Sequence, residues 1–217
     1  MKRFIFTALA VLMTAQPAFC ASDDGFIPDN GMYHQLSRFA DVPEGAWYLE
    51  YVNIAADFGV LNGRENGLFM PNDGVTCAEA IKMAACAHAS MHHFEISETG
   101  GDHWYDKYYN YCRDWQIIEP HVKMDMTKKA TRAEVAYLFA RVDKTGPHIN
   151  EVPITDIPDV DGFTPYYHEI MDMYETGAAT GDSTMAFHPN DNIKRSEAAA
   201  MITRVMCYDL RIELPKG

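Results

Sequence analysis

The segment ATRAEVAYLFARV, Ala130–Val142, sets an arginine directly after a threonine that can cap a helix. Thr131 and Glu134 have capping-box spacing: the hydroxyl accepts from a backbone N–H one turn in, and the carboxylate accepts from the N–H of the cap residue. Thr76 and Glu79 repeat the pair. Arg132 has no such local use. A cation in the first turn opposes the helix macrodipole, a small cost, and two arrangements would offset it. In one, the guanidinium joins free first-turn N–H groups in holding an anion. In the other it pairs with an acidic side chain, such as the Asp of a neighbouring repeat. The segment KRSE, Lys194–Glu197, puts Arg195 at the Arg132 position and Lys194 at that of the cap threonine, doubling the local positive charge and leaving Asn192 as the candidate cap. Cys77 occupies the same position after Thr76 and supplies no cation.

Other chemistry finds less support. No G-x-S-x-G, Walker loop or dinucleotide fingerprint occurs, so no catalytic residue is expected. His88, His92, His93 and His103 cluster, and the first two are one helical turn apart. Spacing marks no third ligand, so they read as linker histidines and no metal or cofactor is expected. In DVDGF, a calcium loop with Gly162 at its sixth position would begin at Ile157 and end at His168, neither of which suits calcium. His168–Glu169 begins like a zincin motif, but Asp172 takes the place of its second histidine. The formal charge is −13, and two units more negative once Lys2 and Arg3 are removed. Such a surface excludes general nucleic-acid binding, which needs clustered Lys and Arg. Any anionic ligand requires a local basic pocket.

The elements that position these residues follow from internal repetition. Shifted by 118 residues, the chain meets itself without a gap: Phe39–Val42 falls on Ile157–Val160, Gly59 on Gly177, Gly63 on Gly181, and Pro71–Asp73 on Pro189–Asp191. A weaker copy lies between, with Trp104–Tyr105 matching Trp47–Tyr48 and Thr131–Glu134 matching Thr76–Glu79. The expected repeats are 39–88, 101–142 and 154–207, joined by polar, Gly- or Pro-bearing linkers. Each carries a predicted aromatic-rich first helix (47–58, 104–115, 165–176). Gly59 and Gly177 sit where a left-handed C-cap is wanted. A loop follows, then a second helix with one apolar stripe in register: Val135, Leu138, Phe139 and Val142, matched by Ala80, Met83, Ala84 and Ala87 and by Ala198, Met201, Ile202 and Val205. One such unit has too little core to stand alone. The expectation is an all-α fold, a pseudo-threefold arrangement of three helix-loop-helix repeats that bury their stripes together.

The N-terminus has the form of a secretory signal peptide, 1–20, with Lys2 and Arg3 before an apolar run from Phe4 to Met13. A lead, 21–38, and a C-terminal tail, 208–217, flank the repeats, and no segment is long and apolar enough for membrane insertion. Export permits a disulfide among Cys77, Cys86, Cys112 and Cys207, but buried thiols suit the size equally well.

Phe/Ile-x-Asp-Val, Trp-Tyr, Gly-Val/Ala-x-x-Gly, Phe-x-Pro and Thr-Arg-Ala-Glu, ordered and repeated, resemble the S-layer homology domain family, from Phe39 to about Cys207. The resemblance implies a helical pseudo-trimer whose inter-repeat grooves bind a wall polymer without covalent attachment. The polymer is often a pyruvylated secondary cell-wall polysaccharide, with peptidoglycan the other candidate. It also implies that Arg132 and Arg195 meet acidic groups, that Trp47 and Trp104 stack on sugars, that Asp41 and Asp159 bond hydroxyls, and that Gly63 and Gly181 let backbone approach the groove. Read simply as first-helix aromatics, Trp47 and Trp104 belong in the core, and the two aspartates equally suit loop or cap duty. Three departures stand out: Cys77 in the arginine position, Pro165 in the tryptophan position, and a middle repeat without the Phe-x-Asp-Val or either glycine. The expected function is non-catalytic binding of an anionic wall glycan by a secreted protein at the cell wall or surface. The alternative is a degenerate scaffold for a protein partner or self-association there.

Overall fold

The computed structural model describes residues 37–98 and 101–215; the expected signal peptide and most of the expected lead lie outside them. The described residues form an all-helical structure of three helix pairs: α1 (Leu49–Asp57) and α2 (Cys77–His92), α3 (Asp106–Asp114) and α4 (Arg132–Ala140), α5 (Tyr167–Glu175) and α6 (Arg195–Met206).

Local signals set these boundaries. In α2 and α4 both halves of the capping box form: Thr76 and Thr131 accept from the N–H of Glu79 and Glu134 at 3.2 Å, and the carboxylates accept from the threonine N–H groups at 2.8 and 2.7 Å. In α6 the cap residue is Lys194, not Asn192. Its side chain can accept nothing, so only Glu197 returning to the Lys194 N–H remains. Gly59 and Gly177 end α1 and α5 at φ +68° and +75°, the left-handed conformation expected of them, and Gln116 takes the same conformation after α3.

The three apolar stripes lie in one continuous core. Helices α2, α4 and α6 pack on one another, and each is covered by a helix from a different pair: α3 on α2, α5 on α4, α1 on α6. Below them, the residues just before the second helices close a ring of backbone hydrogen bonds. Val75 N–H donates to Ile193 O (3.1 Å), Ile193 N–H to Ala130 O (3.1 Å) and Ala130 N–H to Val75 O (2.8 Å). All three residues are fully buried, so the ring satisfies polar groups that would otherwise be stranded.

The same exchange continues into the first turn of each second helix. Arg132 and Ala133 N–H donate to Asp191 and Pro189 O, Arg195 and Ser196 N–H to Asp73 and Pro71 O, and Cys77 and Ala78 N–H to Lys128 and Met126 O. The first-turn donors that could have held an anion are therefore taken by carbonyls of another pair. The C-terminal residues dock as well. Arg211 is buried, pairs with Asp143 at 3.6 Å and donates to Arg204 O and Pro147 O, while Ile212 N–H donates to Gly177 O.

Candidate functional site: a groove beside helix α6

A groove of about 520 Å³ runs between the start of α1, the loop after α5 and the side of α6 that carries Glu197, Met201 and Arg204. It brings together four residues selected from sequence: Trp47, Arg132, Gly181 and Lys194. Trp47 is 59% exposed at its edge, and Trp104 holds the corresponding place before α3 at 56%. Both rings stand outside the core, contrary to the packing expected of first-helix aromatics. The register explains it: each precedes its helix by two residues, and at Trp47 the tyrosine that follows, Tyr48, turns inward against the core.

Arg132 reaches out of α4 into the next helix pair. Its Nε donates to Phe187 O at 2.7 Å, its Nη1 meets Glu197 at 3.1 Å, and its guanidinium lies 5.1 Å from the Phe187 ring centre. Arg195 repeats this contact one pair on, donating to Phe69 O (2.8 Å) and Asn62 O (3.0 Å), facing Glu79 at 3.5 Å and lying over the Phe69 ring. It is 5% exposed, and burial lowers its pKa from the ordinary arginine value. Burial acts to raise the Glu79 carboxyl, but the Thr76 N–H, Arg64 and Arg195 outweigh it and hold the pKa below the usual value. The third corner has Cys77 instead, with Sγ 3.8 Å from Glu134. Burial first, then Glu134, pushes this thiol up to about 12. Each capping-box glutamate thus has two tasks, closing its own helix start and receiving the first-turn side chain of another pair. No disulfide joins the four described cysteines.

Asp41 and Asp159 brace the loops that carry Phe69 and Phe187. Asp41 accepts from Phe69 and Met70 N–H, both at 2.7 Å; Asp159 accepts from Phe187 (2.8 Å) and His188 (2.6 Å). Both oxygens of each carboxylate are engaged with backbone, and the two loops share a left-handed residue before proline, Met70 and His188. Gly63 packs against the Phe39 ring, and Gly181, at φ +66°, lies close under Tyr174 and the Met185 backbone. Of the groove's carboxylates, Asp182 accepts from Thr184 and His188. These bonds lower its pKa and raise that of His188.

Sequence reasoning missed Arg204, which lines this groove from α6. A larger hollow of about 1010 Å³ lies elsewhere, between the 94–98 segment and α3, with Phe94 stacked on Trp115 at its wall. It holds none of the residues selected from sequence. His88 beside it is helical rather than part of a linker; it bonds the Tyr111 hydroxyl at 2.9 Å, and burial lowers its pKa to about 4.

Residues 38–81 and 156–199 match the S-layer homology domain family. These two segments begin just before Phe39 and Ile157 and end inside α2 and α6, so both matches include a capping-box glutamate. Over 176 residues, 76% of this chain, the sequence is 23% identical to an S-layer protein of Bacillus thuringiensis subsp. finitimus. The same identity and coverage hold for the S-layer protein sap of Bacillus anthracis. The match spans 21% of the length of each relative.

Proposed function

We propose that this chain is a non-catalytic S-layer homology module that binds an anionic cell-wall polysaccharide at the cell surface. Its three helix pairs are copies of one unit about a pseudo-threefold axis, and the polymer lies in the groove between α1 and α6. The convergence of Trp47, Arg132, Gly181 and Lys194 on one groove carries this reading. An exposed indole offers an apolar face to a sugar ring, and the basic groups beside it favour acidic substituents. The two family matches and the S-layer relatives support the wall as the place of binding. Arg132 and Arg195 contribute by holding the groove walls in place, since both are bonded to neighbouring backbone and carboxylate groups. Trp104 and Gly63 belong to a second groove of the same kind, and Asp41 and Asp159 set the loop shapes.

The test is cosedimentation with purified Gram-positive wall sacculi, before and after acid removal of the secondary polymer. Binding that disappears on stripping, and that weakens about tenfold in Trp47→Ala with an unchanged unfolding midpoint, is the expected result. Binding that survives stripping would identify peptidoglycan as the ligand. No binding to either preparation would overturn the proposal and leave the protein-interaction scaffold as the better reading.

A further inference from the structure

Arg204 is 8% exposed, and its Nε is the buried side-chain polar atom without a hydrogen-bond partner among the described residues. Its guanidinium stacks 4.7 Å from the centre of the Tyr51 ring and makes one hydrogen bond, from Nη2 to the Tyr51 hydroxyl at 3.1 Å. No carboxylate of the described residues pairs with it. A buried cation in this state is costly, because it has left water without gaining a counter-charge.

The chain contains its own control. Arg141, which caps the end of α4, occupies the place that Arg204 occupies in the last turn of α6, nine residues after the first-turn arginine in each case. Arg141 is neutralised twice, by Glu119 at 3.0 Å and by Glu169 at 3.5 Å, and its Nε donates to Ile117 O. The counterpart of Glu169 on the covering helix α1 is Tyr51, an uncharged phenol. The counterpart of Glu119, three residues after the left-handed Gln116, is Thr180, three residues after Gly177 and uncharged. Both acids that complete the Arg141 site are therefore missing at Arg204. At the third place, on α2, the residue is Cys86 and there is no cation.

We infer that Arg204, which lines the groove beside α6 together with Trp47, is the residue that receives the acidic group of the bound polysaccharide, which supplies the carboxylate that Glu169 supplies to Arg141. This rests on the wall-polymer reading above and deepens it. It separates the roles of the basic residues: Arg132 has its carboxylate partner already in Glu197, whereas Arg204 has none. It also singles out one of the three corresponding positions. At Arg141 the guanidinium is internally neutralised, and at Cys86 there is none.

The experiment uses the full chain and two probes, an acidic wall polysaccharide released from Gram-positive sacculi and the same polymer with its carboxylates reduced to alcohols. Wild type, Arg204→Gln and Tyr51→Glu are titrated with each, and thermal unfolding is recorded in parallel. Wild type is expected to bind the acidic polymer and to lose about tenfold or more in affinity for the reduced one. Arg204→Gln should lose a similar factor for the acidic polymer and discriminate poorly between the two. Tyr51→Glu keeps the arginine but gives it an internal partner, so it should also bind weakly while unfolding at or above the wild-type temperature. Wild-type binding with undiminished affinity in Arg204→Gln would overturn the inference and leave the wall-polymer reading standing. Failure of wild type to bind either polymer would overturn both.

Discussion

Replacing Arg195 by methionine tests the interlock between helix pairs most directly. Methionine keeps the length of the apolar stem and removes the guanidinium. Phe69 O, on a fully buried residue, then loses its donor, while Asn62 O lies on an exposed residue and turns to water. An unsatisfied buried acceptor costs about 1–3 kcal/mol, and the lost contact with the Phe69 ring adds about 0.5–1 kcal/mol. Two effects limit the damage. Glu79 keeps Arg64 and the Thr76 N–H, so no carboxylate is stranded, and the desolvation cost of the buried cation disappears with it. The net loss is about 2 kcal/mol, a drop in Tm of about 4–8 °C for a domain of this size. Arg132→Met also takes the donor from a carbonyl on a fully buried residue, Phe187. It should still cost less, about 1 kcal/mol, because Arg132 retains 16% side-chain exposure through which water reaches the site and its partner Glu197 is 31% exposed and partly hydrated already. Urea unfolding followed by circular dichroism measures both. An Arg195→Met midpoint equal to wild type, or a larger loss from Arg132→Met, would refute the argument that burial sets the strength of these contacts.

Gly181→Ala should destabilise by about 2 kcal/mol or more, because a Cβ there falls 2.4 Å from the Tyr174 hydroxyl oxygen and 2.7 Å from Met185 backbone at a positive φ. Gly162→Ala, where a Cβ meets nothing within 4 Å, is the control and should stay within about 0.5 kcal/mol of wild type in the same urea titration. His88 titrates at about 4 in the fold against 6.5 for its ordinary value. Because the folded value is the lower one, its contribution to stability is complete above pH 6.5 and is lost as pH falls toward 4. The loss is at most about 3 kcal/mol. Unfolding midpoints measured across that window should fall in wild type and fall less steeply in His88→Phe; parallel profiles would rule out His88 as the source.

The helices were legible because their signals are local. Aromatic first helices, Thr-x-x-Glu boxes and glycines in the left-handed region gave boundaries within two residues at all six expected ends of the first helices, and the apolar stripes gave the core faces. The uses of the polar residues were less legible, because their partners lie in other pairs. Nothing adjacent to Arg132 indicates Glu197, 65 positions away. Nothing near Asp41 indicates that the N–H groups of Phe69 and Met70 will fill both its oxygens. Arg204 could have been found by carrying the repeat alignment to the covering helix, where Tyr51 stands opposite Glu169. That comparison concerns what is missing around a residue, and motif matching looks only for what is present.

The arginine in the first turn of α4 now has a physical account. Its cost against the macrodipole is small, and it is offset by a contact that only a long, cationic, forked side chain can make: one donor to a buried carbonyl, another to a glutamate, and a flat face to the phenylalanine between them. The glutamate it meets is the one that caps the next second helix. Capping and association of the pairs therefore depend on the same three carboxylates, Glu79, Glu134 and Glu197. Where the contact has decayed, at Cys77, the thiol is held neutral against Glu134 and the backbone exchange from Cys77 and Ala78 to Lys128 and Met126 persists without it. The fold thus tolerates the loss of one interlocking arginine because the ring of backbone bonds beneath it is complete. That leaves the composition of each groove free to diverge, and Arg204 without a carboxylate is what such divergence leaves in the groove beside α6.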